Sequence, residues 1–124
     1  MNKTTIVILS DPESGEEALG RVFNGFATAY DIKESGGEVS ILFQGTGTRW
    51  ISHLTKEDHP LNGLYSLIKD KIEGVSSGCA DFFGGAEEAR SSGYKLLTEN
   101  LIPGTSGLPS IAKLINSNTT ILTF

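Results

Sequence analysis

A continuous run of β-branched and apolar residues, TTIVILS at 4–10, constrains the fold more than any other feature of the sequence. A strand covered on both faces has this composition, as in a parallel sheet packed between helices. The run ends at DPESG, where Ser14 and Glu17 have the spacing of a capping box. This pair predicts a helix beginning near Gly15. Apolar residues spaced three and four apart up to Tyr30 indicate an amphipathic helix, which ends near the glycines at 36–37.

The same alternation of strand and helix continues to the end of the chain. EVSILFQ at 38–44 predicts a second strand, which a right-handed crossover makes a parallel neighbour of the first. The later predicted helices are at 49–55, at 61–72, starting within 80–92, and at 109–117; the later predicted strands are at 72–77, 94–100 and 119–124. Thr46 or Thr48 is expected to cap the helix at 49–55, and Pro109 is expected in the first position of the helix at 109–117. The sequence therefore predicts one three-layer α/β/α domain over residues 1–124, with a mostly parallel sheet of about five strands.

Charge and cysteine content exclude several classes of function. The formal net charge of −5 over 124 residues argues against a nucleic-acid partner. No apolar run reaches the length of about 20 residues that spans a bilayer, and IVIL is too short for a secretory signal. Cys79 is the only cysteine, so no internal disulfide is expected and the cytoplasm is the predicted compartment. The spacing of Cys79 and the two histidines predicts no metal site, and no cofactor is expected.

Ligands of open parallel sheets bind outside the carboxyl ends of the strands. Four segments rich in small residues follow predicted strands here: SDPESG, QGTGTRW, SSGCADFFGG and IPGTSGLPS. Glycine in such loops permits close approach of the backbone. The GTG at 45–47 lacks the third glycine of a dinucleotide-binding fingerprint, so nicotinamide binding is not expected.

Cys79 lies in one of these segments, near a predicted helix start, where partial positive charge favours a thiolate over a thiol. Arg49 and His53 could assist if they point inward, whereas the negative charge of Asp81 opposes the anion. The alternative is a small apolar residue that only packs, because free cysteine is among the most buried residue types. Trp50 is expected in the core or at a subunit interface rather than as a ligand platform.

The chain contains, in order, the segments TTIVILS, GGEVSILFQGTGTRW, EDHPLNGLY, GVSSGCADFFG, LPSIAKLI and TILTF. This order resembles that of the DsrE/DsrF-like proteins over nearly the whole chain. The most distinctive are GGEVSILFQGTGTRW, GVSSGCADFFG and LPSIAKLI. The resemblance implies a Rossmann-like domain that assembles into homo-oligomers, often trimers or hexamers, and it implies a role in sulfur relay. Cys79 matches a cysteine that is common in relatives of this type, and in the better-understood members a cysteine carries sulfane sulfur as a persulfide. Relatives often have a second cysteine where this chain has Ser76, and a histidine where it has Leu108.

These observations leave three hypotheses. In the first, Cys79 is a persulfide-forming sulfur carrier that exchanges sulfur with donor and acceptor proteins, since a lone thiol allows no internal disulfide. In the second, the protein is a non-catalytic module that binds a small anion or other small ligand, and Cys79 only packs. In the third, it is a structural homo-oligomer with Trp50, Phe82 and Phe83 exposed at the contact surface. The predicted ligand-binding residues are Gly45, Gly47, Arg49, Ser76, Gly78 and Ser106.

Overall fold

In a computed structural model, which describes residues 2–124, the backbone forms a sheet of five strands that are all parallel. The strands are β1 (Lys3–Ile8), β2 (Glu38–Phe43), β3 (Ile72–Ser76), β4 (Lys95–Leu97) and β5 (Thr119–Thr123). Their order across the sheet is β4-β3-β2-β1-β5. The predicted parallel pairing of the first two strands is confirmed, with Lys3 opposite Glu38 and Ile8 opposite Phe43.

Helices connect successive strands. They are α1 (Gly15–Glu34), α2 (Ile51–Leu54), α3 (Asn62–Ile68), α4 (Ser77–Phe83), α5 (Ala86–Ser91) and α6 (Ile111–Asn116), with 3-10 segments at Gly45–Arg49 and Lys69–Lys71. None of these helices within residues 2–124 combines the length and apolar character needed to cross a membrane.

Two apolar clusters lie on opposite faces of the sheet and make the predicted three-layer α/β/α fold. The main cluster joins one face of the strands to α1 through α5, with Phe26, Phe43 and Trp50 among its largest buried side chains. The second cluster is small and contains Val7, Leu42 and Leu97, with Leu114 of α6 and Ile121 packed against it. The layer on this second face is therefore thin, because α6 alone contributes helical apolar contacts to it within residues 2–124.

The predicted start of the first helix near Gly15 is confirmed, whereas three predicted capping or first-turn features of the helices are wrong. Ser14 flanks α1, but its side chain makes no capping hydrogen bond, so the capping box with Glu17 does not form. Neither Thr46 nor Thr48 caps α2, which begins at Ile51. Pro109 is not the first residue of α6; it precedes Ser110, whose hydroxyl accepts a hydrogen bond from the Lys113 amide. A serine hydroxyl satisfies an otherwise unpaired amide of the first turn, which explains why the helix starts there.

The helix predicted to start within 80–92 is in fact two helices. The first, α4, begins at Ser77 directly after β3, and Gly84 and Gly85 separate it from α5. Both glycines have positive φ, at 91° and 104°, which other residues rarely adopt. A Cβ atom on Gly85 would also lie 2.0 Å from the carbonyl oxygen of Thr48. A close tertiary approach of two backbones therefore determines where the helix breaks.

Candidate functional site

The loops that follow the strands all lie at the carboxyl edge of the sheet, because the strands are parallel. At this edge the neighbouring strands β3 and β4 send the chain to opposite faces. β3 leads into α4 and α5, whose residues Ala80 and Ala89 pack into the main cluster, whereas β4 leads to α6 and the second cluster. Such a divergence is the topological switch point at which open α/β sheets form a ligand crevice. The start of α4 and the segment at 98–110 meet there.

Backbone contacts hold the 98–110 segment against the start of α4. The Gly78 amide donates a hydrogen bond to the Gly107 carbonyl oxygen at 2.7 Å. A Cβ atom on Gly78 would lie 2.8 Å from Cδ1 of Leu108, so the glycine allows the close approach. Asn100 and Leu108 pair as an antiparallel bridge and close the segment into a compact loop. Gly78, a predicted ligand-binding residue, therefore packs the start of α4 against the 98–110 segment.

Cys79 is half-buried in the first turn of α4. Its amide donates to the hydroxyl oxygen of Ser76, the capping residue, at 3.3 Å. The amides of Gly78 and Cys79 are thus both used within the protein, and they are not available to an anion in the crevice. Ser76 is fully buried, so the structure gives this predicted ligand-binding residue a capping function.

A chain of hydroxyl groups connects the start of α4 to the 98–110 segment and ends at a carboxylate. The hydroxyl of Ser106 donates to Asp81 at 2.6 Å, and the oxygens of Ser77 and Ser106 are 2.6 Å apart. Because Ser106 has one hydroxyl hydrogen, which Asp81 accepts, Ser77 is the donor to Ser106. Ser77 is not among the predicted site residues, because its sequence pattern predicts the end of a strand, whereas it is the first residue of α4. The spacing of Ser77 and Asp81 is that of residues one helical turn apart, but this signal is visible only once the correct helix start is known.

The remaining predicted residues, Gly45, Gly47 and Arg49, lie in the 3-10 segment after β2, which packs against α4. Gly45 has a φ of 57°, and a Cβ atom on Gly47 would lie 2.2 Å from the carbonyl oxygen of Ile8. Glycine is required at 47 because the segment packs against the end of β1. The hydroxyl of Thr48 donates to the carbonyl oxygen of Gly84, the residue that follows α4. These contacts are structural, and they do not point to a ligand.

Arg49 links this 3-10 segment to the loop after β1. Its Nη1 atom is 3.1 Å from the Asp11 carboxylate and 3.7 Å from that of Glu13, and its Nε–H donates to the Phe83 carbonyl oxygen at 2.8 Å. The guanidinium also lies over the Phe83 ring, 5.8 Å from its centroid. The two carboxylates neutralise the arginine. A neighbouring cavity of about 220 Å³ is lined by Glu13, Arg49, Ser52, His53, Phe83, Gly85 and Glu88.

The aromatic residues near the site differ in how far they are exposed to solvent. Phe82 and Phe83 follow Cys79 by three and four residues on α4, so the three side chains share a helical face. The two phenylalanines are 77% and 39% exposed. Trp50 is only 1% exposed, and its indole N–H donates to the Ser10 carbonyl oxygen at 2.7 Å. Trp50 is therefore a core residue, and the hypothesis that it is exposed at a subunit contact is wrong.

The two histidines pack around Trp50 rather than Cys79. The ring centroids of His53 and His59 are 6.2 Å apart, and each lies about as far from the Trp50 ring. His59 Nδ1 accepts a hydrogen bond from the Leu61 amide at 3.1 Å, in the turn before α3. Burial, followed by the charge of His53, lowers the pKa of His59 below its ordinary value. No cluster of three or more metal-ligating side chains occurs within residues 2–124.

Comparison with known proteins gives one informative match. The chain is 36% identical over 98 residues to MJ0733, an uncharacterized protein of the archaeon Methanocaldococcus jannaschii. The aligned part covers 79% of this chain and 78% of the archaeal protein. No protein-family model matches the chain, and no solved structure matches it.

Proposed function

We propose that this chain, which belongs to the same family as the archaeal protein MJ0733, is a sulfur carrier of the DsrE/DsrF-like type. Cys79 accepts a sulfane sulfur as a persulfide and passes it to another molecule. The observation that supports this proposal is the position of the thiol. It is half-buried at the carboxyl end of β3, where the chain diverges to the two faces of the sheet.

The transfer is redox-neutral and needs no cofactor. The Cys79 thiolate attacks the terminal sulfur of a persulfide donor, so that a new S–S bond forms at Cys79 while the donor's S–S bond breaks and the donor leaves as its thiolate. An acceptor thiolate then attacks the terminal sulfur on Cys79, which is released as a thiolate. Partial burial suits this role, because a persulfide must be shielded from bulk thiols and still reachable by its acceptor.

Asp81 is the acidic residue of α4 and lies two positions after Cys79, and residues two apart on a helix do not face each other. The hydrogen bond from Ser106 holds this carboxylate toward the 98–110 loop. Ser77 extends the same chain of hydroxyls, so the carboxylate is solvated by protein groups. These bonds hold the Asp81 carboxylate on the face of α4 that Ser77 shares, which is not the face of Cys79.

The absence of a second cysteine from the sequence determines the fate of the persulfide. No internal thiol can resolve it as a disulfide, so the sulfur must leave to a separate acceptor. The proposal therefore includes donor and acceptor proteins as partners, a reducing cytoplasmic compartment, and assembly into a homo-oligomer such as a trimer or hexamer. Static light scattering tests the assembly, and a monomer at micromolar concentration would remove that part of the proposal.

The decisive experiment measures sulfur transfer to the intact protein. Wild type and Cys79→Ser are incubated with inorganic polysulfide, desalted and weighed by intact-mass spectrometry. The wild type should gain the mass of one sulfur atom, lose it on treatment with dithiothreitol, and show no second addition. The Cys79→Ser protein should gain none. An unmodified wild type, or equal gain in both proteins, would refute the proposal.

The alternative of a small-anion-binding module has less support. It needs Arg49 as the anion-binding cation, but Arg49 is neutralised by Asp11 and Glu13. It also needs free amides in the glycine-rich segments, and the Gly47 amide donates to the Gln44 carbonyl oxygen. The carboxylates of Glu13 and Glu88 around the adjacent cavity would repel an anion.

A further inference from the structure

A separate cavity of about 430 Å³ lies at the amino edge of the sheet, on the face that carries α6. It exists because α6 has six residues and is about 9 Å long, too short to cover that whole face. Leu114 and Ser117 at the end of α6 form one side, and Gly37 and Lys71 lie near the starts of β2 and β3. The volume is in the usual range of small-molecule sites, about 300 to 1,000 Å³.

Hydroxyl groups form the floor of this amino-edge cavity. Thr5 and Ser40 are opposite each other in the β1–β2 register, and their hydroxyl oxygens are 3.1 Å apart. Two residues further along the same strands, Val7 and Leu42 form the apolar second cluster. Thr5 is only 1% exposed, so its hydroxyl is not an ordinary surface group. The bond between the two hydroxyls uses one of their two hydrogens, and the other can be donated to a bound molecule.

The walls carry positive charge in a protein whose formal net charge is −5. Lys3 and Lys71 both line the cavity, together with a single acidic residue, Glu38. Within residues 2–124, Lys3 forms no ion pair. The Nζ atom of Lys71 is 4.0 Å from the Asp70 carboxylate. That carboxylate is already bonded to Lys33 at 2.8 Å, a contact that is the main cause of its lowered pKa.

We propose that this amino-edge cavity binds a small hydroxylated phosphate of the sugar-phosphate class. Lys3 and Lys71 hold the phosphate, since charge-assisted hydrogen bonds to lysine are the strongest contacts that the cavity offers an anion. The free hydroxyl hydrogen of the Thr5–Ser40 pair is donated to a hydroxyl group of the ligand. Ser117 already donates to carbonyl oxygens of α6 and is bonded to Thr119, so the hydroxyl oxygens of these two residues accept hydrogen bonds from the ligand. The carboxylate of Glu38 accepts a hydrogen bond from one of those groups. The site is at the opposite edge of the sheet from Cys79, so it does not depend on the sulfur-carrier proposal.

Ribose 5-phosphate, inorganic phosphate and ribose serve as probes in a titration followed by two-dimensional ¹⁵N–¹H NMR. Ribose 5-phosphate should cause saturable shifts at the amides of Thr5, Ser40 and Thr119, and it should bind more tightly than either of the other two probes. Lys3→Ala and Lys71→Ala should each weaken it by about tenfold. Lys56→Ala is the matched control, because Lys56 is exposed in the turn after α2, and it should bind like the wild type.

Ser40→Ala separates recognition of the sugar from recognition of the phosphate. It should weaken ribose 5-phosphate and leave inorganic phosphate unchanged. Failure of ribose 5-phosphate to cause saturable shifts would refute the proposal, as would undiminished binding to the Lys3→Ala/Lys71→Ala double variant. Equal affinity for inorganic phosphate and ribose 5-phosphate would refute the assigned ligand class.

Discussion

Replacing Gly47 with alanine tests whether the glycine-rich segment after β2 serves packing or ligand binding. The added Cβ atom would lie 2.2 Å from the carbonyl oxygen of Ile8 and 2.9 Å from its carbonyl carbon. Ordinary contact begins at 3.4 Å, so the backbone must move by about 1 Å. Ile8 is fully buried, and its carbonyl oxygen accepts a hydrogen bond from the Gln44 amide at 3.0 Å. Strain and the weakened hydrogen bond together should lower the free energy of unfolding by about 2 to 4 kcal/mol.

Urea unfolding followed by tryptophan fluorescence measures this change. Trp50 is the only tryptophan and is 1% exposed, so its emission reports directly on loss of the core. The thermal midpoint should fall by roughly 10 °C. Gly20→Ala is the matched control, because Gly20 lies inside α1 with no neighbouring atom within 4 Å of an added Cβ. That variant should be more stable than wild type by about 0.5 to 1 kcal/mol.

A Gly47→Ala protein within about 0.5 kcal/mol of wild type would refute the packing argument. Packing would then not explain why residue 47 is glycine, and the sequence-based prediction that Gly47 binds a ligand would be favoured. Sulfur uptake by the variant, measured below its melting temperature, should equal that of the wild type, because the amides of Gly78 and Cys79 bond to Gly107 and Ser76 and not to the segment at 45–49.

Three further variants test other contacts. Arg49→Ala should lower the free energy of unfolding by about 1 kcal/mol, because its ion pair with Asp11 is partly exposed. An unchanged urea midpoint would show that this ion pair does not stabilise the fold. Tyr94→Phe should cost about 1 kcal/mol by removing the 2.6 Å hydrogen bond to the buried Tyr65 hydroxyl, and a urea midpoint equal to wild type would contradict this. The pKa of His59 is lower in the folded state, so the unfolded state binds more protons as pH falls below about 6.5, and stability should decrease there. The unfolding free energy of His59→Gln should depend less on pH over this range, and an identical dependence would show that another group is responsible.

The strands were largely predictable because each carries a local signal. Continuous β-branched and apolar runs predicted β1, β2 and β5 to within about two residues, since a strand buried on both faces needs apolar side chains in both directions. The parallel order of β1 and β2 followed from the intervening helix. The position of β5 beside β1 could not be read from the sequence, because it depends on which face α6 packs against.

The start of α4 was not predictable because tertiary contacts define it. Ser76, Ser77 and Gly78 have the composition of a strand end or a loop, and none is a strong helix former. The helix begins there because Ser76 caps the Cys79 amide and Gly107 accepts from Gly78. That acceptor lies almost 30 positions further along the chain, so no local pattern contains it.

The glycines among the predicted site residues could be explained in two ways from the sequence. A glycine-rich loop indicates that something approaches the backbone closely, but not whether it is a ligand or another part of the protein. At Gly47, Gly78 and Gly85 the approaching atoms belong to Ile8, to Leu108 and Gly107, and to Thr48 respectively. The predicted place of Cys79 at the carboxyl edge of the sheet is confirmed, whereas the ligand-binding roles of Gly47 and Gly78 stay predictions, because the fold itself requires glycine at both positions.

These contacts bear on how the chemistry can be tested. Backbone groups fix α4 at both ends: Gly78 to Gly107 at its start, and the carbonyls of Phe83 and Gly84 to Arg49 and Thr48 at its end. None of these contacts involves the Cys79 side chain. Serine has nearly the same size and keeps the half-buried position, so Cys79→Ser should unfold at the same urea concentration as wild type. Loss of sulfur uptake in that variant can then be attributed to the missing thiol, because the helix that carries it remains fixed.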